Sequence, residues 1–234
     1  MMAGDQQISV VIPTLNAKVR LGGALACLEA ARDQGFVREV IVADGGSSDT
    51  TEKIAGSAGA RIVQCDRGRG LQLATGAACA VSDWLLFMHA DTWLDGGWEM
   101  QAKAHIAGGK DKAGVFRLRF SARGLAPRIV AAGAMIRTRL LRTPYGDQGL
   151  LISRKLYDEI GGYRPMRLFE DVEFIDRIIK QNGRNALRVL SADAVTSASR
   201  YQQDGYVTRV FKNFRCLMMY RFGRSIEDIE QAYQ

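Results

Sequence analysis

The chain has 234 residues, 47% hydrophobic and 24% charged, which suits one domain of ordinary size with a substantial core. Its longest strongly apolar stretch, Ile129–Ile136 between Arg128 and Arg137, falls well short of the roughly twenty residues a membrane-spanning helix needs. The net charge of +7 suits an anionic partner, but no recognition-helix, RRM or zinc-finger pattern is present; a phosphorylated small molecule or an anionic membrane surface therefore ranks ahead of nucleic acid.

The first residues, MMAGDQQ, lack the basic and apolar regions of a secretory leader. Ile8-Ser9-Val10-Val11-Ile12 then reads as a strand stopped by Pro13. Residues 19–31 place Leu21, Leu25 and Leu28 on one helical face. A second strand, Glu39–Ala43, ends at Asp44-Gly45-Gly46. Asp49 and Glu52, three apart, have the spacing of a capping box opening a helix to about Ser57. Arg61–Cys65 is a third strand, followed by the loop Asp66-Arg67-Gly68-Arg69-Gly70. A helix to about Val81 leads into a fourth strand, Trp84–Met88, which runs into His89-Ala90-Asp91.

This alternation predicts an α/β fold with a mainly parallel sheet, and in such sheets ligands bind beyond the carboxyl ends of the strands. Those ends here are polar and glycine-rich. His89 and Asp91, two apart in an extended chain, point to the same side and could face one ligand together.

The second half is less regular. Val115–Phe120 and Gly149–Ser153 read as strands. Lys155–Ile160 reads as a helix closed by Gly161-Gly162, and Glu170–Asn182 as another, stopped by Gly183, with Val172, Ile175, Ile178 and Ile179 inward. In the tail, Tyr206, Val207, Val210, Phe211, Phe214, Leu217 and Met218 recur at helical spacing among arginines and lysines. That pattern fits packing on the core or rest on an anionic lipid surface. Cys27, Cys65, Cys79 and Cys216 form no C-x-x-C pair, which argues against a disulfide framework or zinc ribbon. With no leader or span pattern, the expectation is a reduced, cytoplasmic chain. The second placement is peripheral, on the inner face of a membrane.

Neither G-x-G-x-x-G nor G-x-x-x-x-G-K-[ST] occurs, so a Rossmann dehydrogenase and a P-loop NTPase both lack their phosphate loops. The ordered set ISVVIPTLNA, VIVADGGSSDTT, LLFMHADT and FEDVEF, the last preceded by IGGY, resembles glycosyltransferase family 2 from about Ile8 to Gly183. The resemblance implies a GT-A fold with a Rossmann-like first half, a nucleoside-diphospho-sugar donor, a divalent cation (Mn2+ or Mg2+) and inversion at the anomeric carbon.

Position by position, the resemblance puts Asp44 on the donor's nucleoside and Pro13, Thr14 and Asn16 beside the base, with Arg69 near the diphosphate and Arg67 its competitor. Asp91 takes the D-x-D position as a metal ligand. His89 replaces the motif's first aspartate, which leaves open whether it also ligates. Asp171 matches the catalytic base, and Glu170 is expected to position the acceptor or orient the loop. Gly149, in Tyr145–Gly149, is expected on the acceptor or sugar side, and Arg200 near the diphosphate.

One domain is expected over 1–234. Its donor half covers about 1–100, its acceptor half about 101–195 and a helical tail about 204–234. The competing functions are a sugar-phosphate nucleotidyltransferase and a non-catalytic nucleotide-sugar binder. The first wants a glycine- and arginine-rich loop after strand one, where this chain has Pro-Thr-Leu-Asn-Ala. Donor base, sugar, acceptor and oligomeric state stay open at this point.

Overall fold

The computed structural model describes residues 6–233; residues 1–5, the start of the segment read above for a leader, and Gln234 lie outside the described residues. In chain order the elements begin with β1 (Ile8–Thr14), α1 (Leu21–Ala26), α2 (Glu29–Asp33), β2 (Val37–Asp44), α3 (Thr51–Ser57), β3 (Arg61–Gln64), α4 (Arg69–Cys79) and β4 (Trp84–Phe87). There follow β5 (Thr92–Leu94), α5 (Trp98–Ala107), β6 (Ala113–Phe120), α6 (Leu125–Leu141), β7 (Leu150–Ser153), α7 (Arg154–Ile160) and α8 (Glu170–Asn182). The chain closes with β8 (Leu187–Thr196), α9 (Ser199–Asp204), α10 (Tyr206–Arg221) and α11 (Ile226–Tyr233).

The eight strands of the described residues share one sheet in the order β3-β2-β1-β4-β7-β6-β8-β5. The first four are parallel, as the alternation predicts. Beyond β4 the sheet is mixed: β7 runs antiparallel to β4 and β6, β8 is parallel to β6, and β5 is antiparallel to β8.

The near-continuous apolar character of β1 and β4 follows from burial on both faces. Ile8, Val10, Ile12, Trp84 and Leu86 pack into one core layer, while Val11, Leu85 and Phe87 pack into the other. Those opposed layers fix the strand register, since a slip of one residue would exchange them.

Local expectations differ in four places. Pro13 does not stop β1. Met88 N–H donates to the Val11 carbonyl (3.0 Å), so odd-numbered residues of β1 face β4, whose pairing ends at Val11–Phe87. Pro13 is the next such residue, and no ladder bond asks for its missing N–H. The helix over 19–31 breaks into α1 and α2 at Cys27-Leu28, although Leu21, Leu25 and Leu28 are all buried as expected. The Asp49–Glu52 capping box is absent: Asp49 accepts from the Thr51 and Lys18 N–H groups, and Glu52 accepts from the Gln64 amide (2.7 Å). Arg69 is the first residue of α4 instead of a loop residue.

Candidate active site

The carboxyl ends of β1 and β4, the start of α4, the 3-10 turn Gly146–Gln148, the start of α8 and helices α9 to α11 enclose a cleft of about 960 Å³. Pro13, Thr14, Asn16, Arg69, His89, Asp91, Asp171 and Arg200 all line it. Asp44, Gly149 and Glu170 do not.

Asp44 lies beneath the wall, fully buried. Its Oδ1 accepts from the hydroxyls of Thr14 (2.7 Å) and Ser47 (2.6 Å), and its Oδ2 from the N–H groups of Gly46 (3.1 Å) and Ser47 (2.6 Å). The carboxylate expected on a nucleoside thus holds the loop that would face one. Asn16, with φ of 51°, is similarly occupied: its N–H donates to Ser47 Oγ (2.8 Å) and its Oδ1 accepts from Ser48 N–H (2.9 Å). The Thr14 carbonyl accepts from the buried Gln72 amide (2.7 Å). Gly149, expected near the sugar, does not line the cleft, and a Cβ there would meet Phe116 and the Phe87 carbonyl at 3.4 Å.

The opposite wall is less saturated. Gln148 anchors its turn, accepting from the Thr138 hydroxyl (2.7 Å) and donating to the Phe116 carbonyl (2.9 Å). Asp147 beside it lines the cleft, and its buried Oδ1 has no hydrogen-bond partner among the described residues. Burial raises its pKa to about 6; Arg137 opposes this, and the carboxylates of Asp171 and Asp91 add to it. Three acidic groups therefore sit within electrostatic reach of one another in one cavity. Asp147 is the residue that sequence reading missed, since a single carboxylate in a glycine-flanked turn carries no spacing signal.

Asp171 accepts from Gly146 N–H through Oδ2 and from Val172 N–H (2.7 Å) through Oδ1. Burial raises its pKa, and the Gly146 N–H and Arg69 pull the other way. Phe169, two residues earlier, is in the left-handed region (φ 59°) and stacks on Tyr220 at 4.9 Å, which fixes how α8 enters the cleft. Glu170 pairs with Arg69 (3.4 Å), and its buried Oε2 has no partner among the described residues.

His89 packs edge-on against the turn. A Cβ at Gly146 would lie 2.3 Å from its Nε2, so only glycine lets the two elements meet. Burial, then Arg69, pulls the His89 pKa down to about 3, with Asp91 opposing; the ring is neutral near pH 7. Asp91 faces Arg20 at 3.8 Å. Arg200 donates to the Tyr233 hydroxyl (3.2 Å), and Arg67 also lines the cleft.

Among the described residues no group of three or more His, Cys, Asp or Glu is disposed to hold a metal. A Mg2+-type site assembled on a diphosphate needs only one or two protein carboxylates, the remaining oxygens coming from phosphate and water. Asp91 and the orphaned Oδ1 of Asp147 are hard oxygen donors of that kind. The donor set fits such a cation.

Residues 9–170 match the sequence model of the family described as Glycosyl transferase family 2. The chain belongs to that family. Among curated relatives it is 34% identical over 93 residues to a glucosyl-3-phosphoglycerate synthase of Mycolicibacterium paratuberculosis, covering 36% of this chain and 28% of that protein. It is 36% identical over 101 residues to the Homo sapiens dolichyl-phosphate beta-glucosyltransferase, covering 37% of this chain and 31% of that protein. The aligned stretches thus span less than a third of these relatives. The structure of glucosyl-3-phosphoglycerate synthase from Mycobacterium tuberculosis, solved with Mn2+, UDP and glucosyl-3-phosphoglycerate, superposes with a TM-score of 0.60. That superposition has 22% identity and covers 82% of this chain and 70% of the synthase. At that identity the likeness establishes the α/β fold with its curled, mostly parallel sheet. No described helix is long and apolar enough to cross a membrane.

Proposed function

We propose that this family 2 chain is an inverting glycosyltransferase that moves a sugar from a nucleoside-diphosphate donor to a hydroxyl acceptor. One observation carries the reading: Asp91 and Asp171 line the same cleft, with Arg69 in electrostatic reach of both. A carboxylate for the diphosphate end and another for the acceptor end are what a single inverting displacement requires. We read about 1–100 as the donor half, about 101–195 as the acceptor half and about 204–234 as a tail closing the cleft.

In this reading Asp171 takes the acceptor's hydroxyl proton while that oxygen attacks the anomeric carbon from the rear. The carbon–oxygen bond to the diphosphate breaks, and its electron pair leaves with the nucleoside diphosphate. Burial makes Asp171 a stronger base than an exposed aspartate, and the Gly146 and Val172 N–H groups fix its orientation. Arg69 and Arg200 face the departing charge, with Glu170 holding Arg69 in place. A bound Mg2+ or Mn2+ would offset charge on the diphosphate, held by Asp91 with Asp147 or His89. Pro13, Thr14 and Asn16 would border the base, and Asp44 would support their loop from beneath.

UDP-glucose, bound with Mn2+ in a solved synthase structure of the same fold, is the first donor to screen. Asp171→Asn should lower transfer by roughly 10²–10⁴-fold and leave donor affinity within about threefold. Wild-type turnover in that variant would refute the assignment. Products separate the alternatives: a transferase releases nucleoside diphosphate, a nucleotidyltransferase pyrophosphate, and a binder neither. The peripheral placement expected from the tail is independent of the reaction; α10 turns Arg209, Asn213 and Cys216 to the cleft and other residues outward.

A further inference from the structure

Helix α6 was not foreseen as an element, and its apolar residues point the wrong way for a core helix. Leu125, Ile129, Ile136 and Leu140 fall on one stripe and are 59–72% exposed. Its inner side, by contrast, packs Val130, Ala134 and Met135 on Leu118 and Phe120 of β6. Helix α10 lies against α6 and repeats the pattern: Val207, Phe211, Phe214 and, just past its end, Phe222 are 57–85% exposed. A soluble monomer seldom leaves two adjacent apolar stripes open to water.

The charges on these helices are one-signed. Neither α6 nor α10 contains an aspartate or glutamate, and together they carry seven basic residues. Arg209 and Arg221 are paired with Asp204 and Asp176, but Arg128, Arg139, Lys212 and Arg215 enter no ion pair among the described residues. Apolar stripes fringed by unpaired cations match the headgroup region of an anionic bilayer, where the apolar groups sink below the phosphates. A second copy of the chain would bring the same cations face to face, which disfavours self-association through this surface.

We propose that α6 and α10 together form a peripheral docking surface for an anionic membrane, lying in its plane. The surface borders the cleft: the opposite face of α10 supplies Arg209, Asn213 and Cys216 to it, and Phe120, beneath α6, also lines it. Docking would bring the cleft close to lipid-borne hydroxyl or phosphate groups. That consequence rests on the glycosyl-transfer reading; the docking itself does not.

Co-sedimentation of the full chain with vesicles tests it, comparing phosphatidylcholine alone with an equal mixture of phosphatidylcholine and phosphatidylglycerol at low salt. The wild type should pellet with the mixed vesicles only and be released as salt rises. Ile129→Glu combined with Phe211→Glu should weaken that binding by roughly tenfold or more, while the melting temperature and nucleotide-sugar hydrolysis in solution stay at wild-type values. Because both positions are exposed and outside the cleft, a fault in the glycosyl-transfer reading would show in hydrolysis and leave vesicle binding intact. Absence of binding to mixed vesicles, or binding insensitive to the double variant, overturns the proposal. Sedimentation velocity supplies the remaining outcome: a dimer that the same substitutions dissociate would mean that a second copy covers the face.

Discussion

The two walls of the cleft treat their carboxylates in opposite ways. Beneath the β1 and β2 ends, Asp44 is enclosed by four short hydrogen bonds from Thr14, Gly46 and Ser47, and every acceptor site in reach is used. Across the cleft, Asp147 keeps one oxygen without a partner, as does Glu170, and Asp171 accepts only two backbone N–H groups. Buried polar atoms in folded proteins are nearly always paired, so an exception at a cleft is a place where a ligand could complete the bonding. On the proposed reading the first wall supplies rigidity and the second chemistry, even though the aspartates on both sit at the ends of regular elements.

Isosteric substitutions of the two aspartates should invert each other's effects. Asp171→Asn should lower catalysis by roughly 10²–10⁴-fold, the largest effect, while its melting temperature stays close to the wild-type value, because the loss of a buried charge offsets the loss of one acceptor and the amide oxygen can still accept from Gly146. Asp44→Asn presents an amide N–H2 to donors, leaving at least one buried N–H or hydroxyl without an acceptor. It should cost about 2–4 kcal/mol, read as a fall in Tm of roughly 5–15 °C. Any enzyme that stays folded should keep most of its kcat. Urea melts and steady-state kinetics on both variants would make the comparison. Equal loss of activity at matched folded fraction would mean that Asp44 contacts the donor directly and that the division between walls is wrong.

Gly146→Ala probes where the walls meet, and its effect should be smaller. The added methyl would overlap His89 Nε2, so either the ring or the turn carrying the Asp171 hydrogen bond must move. A displacement of a few tenths of an ångström to about 1 Å in a catalytic array costs up to roughly 10²-fold in rate. The change should appear in kcat more than in KM. Relief of the defect by His89→Ala would locate the clash at that contact, and no relief would move it to the turn itself.

How much of this was legible in the sequence follows from how local each signal is. The four parallel strands could be read because burial on both faces makes them runs of Val, Ile and Leu bounded by Gly, Pro and Asp. Asp91 and Asp171, which both line the cleft, could be singled out because each closes a motif of contiguous residues. Strand β8 was not legible. Its outward Arg188, Ser191 and Asp193 dilute the apolar pattern, and its pairing with β6 shifts register between Val115 and Arg117. Helix α6 was hidden for another reason, since its strongest periodicity lies on the solvent face and reads as a short apolar run. Within the site, the orphaned oxygen of Asp147 depends on Gln148 anchoring the turn to Thr138 and Phe116, residues 10 and 32 positions away, and no local pattern records such contacts.

The smallest expected effect is a stability difference that changes with pH. The Asp147 carboxyl titrates at about 6 in the folded chain against an ordinary value of 3.8. The folded state therefore holds its proton where the unfolded state has released it, and stability falls as pH rises from about 4 to about 6. Asp147→Asn removes that dependence. The variant should match the wild type near pH 4 and exceed it by about 1–2 kcal/mol at pH 7, after allowance for the solvent reaching a cleft residue. A cation or donor that binds through Asp147 would reverse the order at neutral pH, because ligand linkage at 100-fold excess over Kd contributes about 2.7 kcal/mol and the variant would forfeit part of it. Melting both proteins at pH 4 and pH 7, with and without Mn2+ and UDP, resolves the two contributions. An unliganded pair whose difference does not change with pH would mean that Asp147 is as well solvated as the surface carboxylates, and the contrast between the walls would rest on Glu170 and Asp171 alone.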